Sequence, residues 1–87
     1  MNNALKALLY FLLNKHIIGA KHFPEKKLIR SKTKYLKPPE QKEFEKEYKE
    51  LLKQEFIQRF KKRTGKGSEW HISLNPRTLK EVYKHLQ

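Results

Sequence analysis

"FIQRFKKRTGKGSEWHISLNP", residues 56–76, decides how this chain is read. Two short runs rich in aromatic and β-branched residues flank a tip marked by Gly65 and Gly67, the pattern of a β-hairpin. The approach to the tip carries Arg59, Lys61, Lys62, Arg63 and Lys66, with no acid until Glu69. In the second run, Trp70, Ile72 and Leu74 alternate with His71 and Ser73. A period of two predicts that the first set, joined by Phe60, faces the helices. Lys and Arg on an exposed strand also guard its edge against pairing. Five uncompensated charges on one short hairpin exceed what an edge needs.

Helical patterns lie on both sides of the hairpin. Upstream, "PEQKEFEKEYKELLKQ" (39–54) places Phe44, Tyr48, Leu51 and Leu52 at i, i+4, i+7 and i+8, which is one apolar face. Pro39 and Glu40 suit its first turn. Downstream, "NPRTLKEVYKHLQ" (75–87) has Asn75 as cap, Pro76 as first helical residue, and Leu79, Val82, Tyr83 and Leu86 on one side. Before "KPP" (37–39), "EKKLIRSKTKYLK" (25–37) predicts another helix. Its apolar side holds Leu28, Ile29, Tyr35 and Leu36, and the other sides hold Lys26, Lys27, Arg30, Lys32 and Lys34.

The first pattern, "ALKALLYFLLNK" (4–15), carries Leu5, Leu8, Leu9 and Leu12 at helical spacing, with Asn3 placed to cap it. Tyr10, Phe11 and Leu13 spread the apolar surface beyond one stripe, which makes this helix a candidate homodimer surface. "HIIGAKHFP" (16–24) then interrupts helicity as a loop or one brief strand.

Composition bounds the function. Eighty-seven residues make one small domain, and the absence of cysteine rules out a disulfide frame or a zinc site of the usual kind. The apolar stretch near the start is shorter than the about 20 residues a membrane span needs. It also lacks the basic flank and cleavage site of a signal peptide, so a cytoplasmic protein without a membrane partner is expected. Twenty-one Lys and Arg oppose nine acids, all Glu, for a net charge of +12. Lys and Glu enrichment together is a thermophile-like trait, but it does not produce such an excess. A field of this sign favours a polyanion, double-stranded DNA or RNA.

No catalytic constellation is present. His16, His22, His71 and His85 are scattered with no Cys or Asp beside them, so no metal site is expected. "TGKGS" (64–68) lacks the full spacing and the strand-to-helix setting of a phosphate-binding loop. Neither a cofactor nor enzymatic activity is expected.

The run "LLKQEFIQRFKKRTGKGSEWHISLNP" (51–76) resembles winged helix-turn-helix domains. Leu51, Phe56 and Ile57 match the step out of the third helix, and Leu74, Asn75 and Pro76 match the entry to the next one. Those domains commonly have a glycine where this chain has Glu55, so the residue either avoids a positive φ or accepts strain there. The resemblance implies a mainly α fold with a small β-hairpin: a three-helix core, a wing and a C-terminal helix across residues 1–87. It further implies binding of double-stranded DNA, as in a transcription regulator or chromatin-type protein, with the wing along the phosphate backbone.

One feature departs from a simple version of that scheme. Residues 39–55 hold six of the nine glutamates and are net −2, a poor surface to lay in the major groove. The expected contacts are therefore Lys26, Lys27, Arg30, Lys32 and Lys34 from the second helix. Arg59, Lys61, Lys62, Arg63 and Lys66 would add the wing's own. Trp70 and Tyr35 have two readings, core aromatics or platforms for unpaired bases, and core placement is favoured because each falls on an apolar face. A structured-RNA binder is one alternative. A protein-interaction module using the acidic third or apolar first helix is the other.

Overall fold

The structure, a computed structural model, describes residues 1–86. Four helices and a three-stranded antiparallel sheet follow the order α1 (Asn3–Asn14), β1 (Phe23–Pro24), α2 (Glu25–Thr33), α3 (Pro38–Lys53), β2 (Ile57–Thr64), β3 (Gly67–Leu74) and α4 (Leu79–Leu86). A single 3-10 turn, Pro76–Thr78, leads into α4. The sheet order is β1-β3-β2, so β3 is central. The third strand is the brief one: Phe23 and Pro24 pair with Ile72 and His71. Proline, which has no N–H to give, is tolerated on such an edge.

The helices form where sequence periodicity places them, with adjusted ends. Asn2, not Asn3, caps α1, its Oδ1 accepting from the backbone N–H of Ala4 at 2.8 Å and Leu5 at 3.3 Å. α2 stops at Thr33, short of residue 37, because Pro38 forces the preceding Lys37 into an extended conformation (φ −75°, ψ 158°). The turn this creates carries Tyr35 away from the body, leaving it 84% exposed rather than in the core. Pro38 and Pro39 then open α3, and the Glu40 carboxylate accepts the Lys37 N–H at 3.3 Å.

α1 and α3 end in the same way. Ile17 N–H donates to Leu12 and His16 N–H to Leu13, while Phe56 N–H donates to Leu51 and Glu55 N–H to Leu52. This is the paired bond set of a Schellman cap, which needs a left-handed residue. His16 (φ 55°) and Glu55 (φ 63°) supply it without being glycine, so the geometry at Glu55 is the strained one.

The buried side chains form one cluster. α1 gives Leu5, Leu8, Leu9 and Leu12, α2 gives Leu28, and α3 gives Phe44, Tyr48 and Leu51. Ala4, Ile17, Phe56, Ile57, Ile72, Leu74, Val82 and Leu86 complete it. Phe11 is spent inside the fold as well, edge-on to Phe23 at 5.2 Å with the Lys32 ammonium 5.3 Å from its ring. The apolar surface that α1 leaves open is therefore narrower than its sequence implied, a cleft with α4 lined by Tyr10, Leu13, Tyr83 and Leu86.

Alternation along β3 holds for register but not for burial. His71 and Ser73 are buried as fully as Ile72 and Leu74, while Trp70 is 43% exposed. The chain between α1 and β1 folds back over the face that was expected to be polar. Ser73 Oγ donates to the Gly19 carbonyl at 2.9 Å, and the His71 and His22 Nδ1 atoms lie 2.8 Å apart. Trp70 lies outside the core because the helical layer covers only the proximal half of the hairpin. The distal half projects by roughly 13 Å at about 3.3 Å per residue.

Candidate functional site

Cross-strand pairing assigns the hairpin's charges to faces. Arg59 lies opposite Ile72, Lys61 opposite Trp70 and Arg63 opposite Ser68, whereas Lys62 lies opposite Glu69 and Phe60 opposite His71. Directly opposed residues share a face. Arg59, Lys61, Arg63 and Trp70 are therefore on the helix-facing side with Ile72, and Lys62 is on the other. Lys66 sits in the turn between the strands.

Between that side of β3 and α2 runs a shallow groove. Lys26, Lys27 and Arg30 line it from α2 and Lys34 from the residue just after it, and Ser68, Glu69 and Trp70 line it from β3. Of α3, only Gln41 is part of the lining. Four of the ten basic residues expected to act together line this groove, and Arg59, Lys61 and Arg63 share the sheet face of Trp70, although the two stretches are more than twenty residues apart. Lys32 is not among them, since its ammonium lies over Phe11 on the α1 side.

Arg59 has a different surrounding from the other hairpin cations. Its Nη2 donates to Glu25 Oε1 at 2.8 Å, and its guanidinium carbon lies 4.2 Å from the centroid of the Trp70 ring. The second Glu25 oxygen accepts from the Tyr48 hydroxyl at 2.6 Å. One carboxylate in the first turn of α2 thereby fastens α3 and β2 together. Burial, then the hydrogen bond to Glu25 and its negative charge, push Tyr48 ionisation far above the usual phenol range, with Arg59 opposing weakly. Arg59 is a joint of the fold as much as a surface cation.

The acids bordering the groove are already engaged. Glu25 holds Tyr48 and Arg59, and Glu69 Oε1 lies 2.9 Å from His71 Nε2. Among the described residues, Lys26, Lys27, Arg30, Lys34, Lys61 and Arg63 form no ion pair. None of the oppositely charged neighbours along α3 comes within ion-pair distance either, so its charges face solvent individually. Glu47 is an exception to that solvated pattern, because its carboxylate accepts the Asn2 N–H at 3.1 Å and ties α3 to the start of α1.

Two features of this region are invisible in the sequence order. His22 and His71 meet although 49 residues separate them. With Glu69 on His71 Nε2, the Nδ1 of a neutral His71 accepts from His22, giving a chain Glu69–His71–His22 that starts at the groove's edge and runs to the covered side of β3. The second is the stack of Arg59 on Trp70, whose signal was the register between Lys61 and Trp70 once the hairpin tip is placed. No metal-binding group of three His or Glu side chains occurs among the described residues. No helix among them is long and apolar enough to cross a membrane. No protein family, curated protein or solved structure matches this chain.

Proposed function

We propose that this chain is a winged helix-turn-helix domain that binds double-stranded DNA, gripping the backbone between α2 and the hairpin. The observation that carries the reading is the groove itself: Lys26, Lys27, Arg30 and Lys34 on one wall, and Trp70 on the other beside Lys61 and Arg63 on its face. Its acids are already engaged elsewhere. The element order, with a β1-β3-β2 antiparallel sheet closed by a long hairpin, supports the fold assignment. A net charge of +12 supports the polyanion.

In this reading α2 and the hairpin hold phosphates, and α3 supports them through the hydrogen bond from Tyr48 to Glu25 rather than reading bases. Contacts of this kind position a protein on a duplex with little sequence information. A small transcription regulator or chromatin-type protein fits that behaviour. The test is a salt-titrated binding assay with duplex DNA and structured RNA side by side. If Lys26, Lys27, Arg30, Lys34, Lys61 and Arg63 all reach phosphates, the log–log slope for the duplex is about −5. A flat salt response, or negligible binding to the duplex at low salt, refutes the proposal. A preference for RNA changes the ligand and leaves the fold assignment standing.

A further inference from the structure

The ring of Trp70 is a large apolar surface left 43% exposed in the most basic part of the molecule, and nothing in the core requires it there. It is also flanked by two cations. The Arg59 guanidinium lies 4.2 Å from its centroid and the Lys61 ammonium 5.8 Å, both from β2. Arg59 is in turn pinned by Glu25, whose other oxygen holds Tyr48. Trp70 also borders the groove with α2. Tyr35 makes an instructive contrast: it is 84% exposed on the α2–α3 turn with only the Lys34 ammonium 5.1 Å from its ring. A surface fixed before binding loses less entropy when a partner arrives.

An aromatic face of this kind has no use for the interior of a duplex, where every base is already stacked on its neighbours. An unpaired base has a free face, and stacking one on an aromatic side chain is a recurring way to bind single strands. Proteins that hold long single strands use a series of such rings along the backbone. Here one ordered ring stands beside a groove of phosphate-binding charge.

We infer that Trp70 is a base-stacking platform, and that the preferred ligand is duplex DNA bearing a short unpaired overhang, with the duplex backbone in the α2–hairpin groove and the first unpaired base on the indole. The inference rests on the nucleic-acid reading above and specifies which DNA is meant. Arg59 has a positioning role in it, keeping the ring in place.

Trp70 is the only tryptophan in the chain, so its fluorescence reports on this site alone. The experiment titrates the unaltered protein with three DNAs of matched length: a blunt duplex, the same duplex with a short single-stranded overhang, and the overhang strand alone. The expected result is strong quenching by the overhang duplex, little by the blunt one, and tighter binding of the overhang duplex. Trp70→Ala should cost the overhang duplex about tenfold more affinity than it costs the blunt duplex. Trp70→Phe should restore much of the difference. Equal affinity for the overhang and blunt duplexes, with equal quenching, overturns the inference while leaving duplex binding intact. Absence of binding to all three probes at low salt overturns the nucleic-acid reading and this inference with it. Because the quenching measurement uses the unaltered chain, the inference remains open to refutation even if Trp70→Ala proves unstable.

Discussion

Glu25 and Arg59, 34 residues apart, are joined by a 2.8 Å hydrogen bond from Nη2 to Oε1. The Glu25 side chain is 12% exposed and that of Arg59 36%, so the pair lies at the border of the core. It links the start of α2 to the strand that leaves the body. A double-mutant cycle with Glu25→Gln and Arg59→Gln should give a coupling of about 1 kcal/mol, reduced in high salt, when measured by urea unfolding. A coupling near zero would mean that the pair does not hold the hairpin.

Tyr48 makes the stability sensitive to alkali. Its neutral form is favoured in the folded state by burial and by the bond to Glu25, so its folded-state ionisation lies above that of the unfolded chain. Stability from this group is complete below about pH 10, the ordinary phenol value, and falls as the pH rises beyond it, because the unfolded chain alone can then release the proton. The thermal midpoint should therefore drop more steeply above that pH in the native sequence than in Tyr48→Phe. Parallel slopes for the two proteins would contradict the assignment.

Glu55 sits at φ 63° as the left-handed residue of the α3 cap. Its carbonyl accepts from Asn75 Nδ2 at 2.8 Å and from Thr78 Oγ1 at 3.2 Å, bonds that do not depend on its side chain. Glu55→Gly should stabilise the protein by about 0.5–1 kcal/mol, the relief of strain exceeding the added freedom of the unfolded chain. Asn75→Ala should do the opposite by about 2 kcal/mol, since it removes the cap of the 3-10 turn and a buried donor to that carbonyl. Thermal or urea denaturation of both variants checks the pair of signs.

The pairing of β2 with β3 separates cations that are adjacent in sequence. Lys61 and Arg63 share the face of Trp70, and Lys62 lies on the opposite one. Lys61→Ala with Arg63→Ala should reduce the magnitude of the salt slope for duplex DNA by about 2, whereas Lys62→Ala should change it by less than about 1. Equal effects per charge would show that the whole hairpin, rather than one face, engages the ligand.

Phe11 gives a test of what α1 does. Its ring is packed on Phe23 and beneath Lys32, so Phe11→Lys places a second ammonium against the first and exposes the Phe23 edge. The expected outcome is a loss of about 2 kcal/mol in stability with no change in sedimentation. A change in sedimentation without loss of stability would return Phe11 to an interface between copies.

Much of the molecule was readable along the chain, and the reasons are local. Leucines every three or four residues, the Pro-Pro entry to α3, the Asn-Pro start after β3 and the glycine-marked tip are short-range signals that the backbone obeys within a turn or a strand. Errors arose where distant segments decide. The alternation of β3 did not reveal that residues 16–22 would cover His71 and Ser73, because the covering carbonyl of Gly19 comes from 54 residues upstream. The spacing of Trp70 and Tyr35 favours the core, but spacing does not tell where the layer above ends. The charges of α2 and the hairpin are visible in the sequence, yet only the strand register separates Lys62 from its neighbours, and only the packing of α2 on α1 separates Lys32 from Lys34.

By itself the sequence determined the number of helices, the hairpin and the sign of the electrostatic field, since periodicity, turn chemistry and net charge are properties of the chain in any arrangement. The tertiary structure decided which charges share a surface, which acids are used up in holding Tyr48, Arg59 and His71, and which aromatic ring is left facing solvent. Those depend on contacts closed across 23 to 49 residues, whose geometry is set by how the helices pack against β3 and not by any stretch read alone.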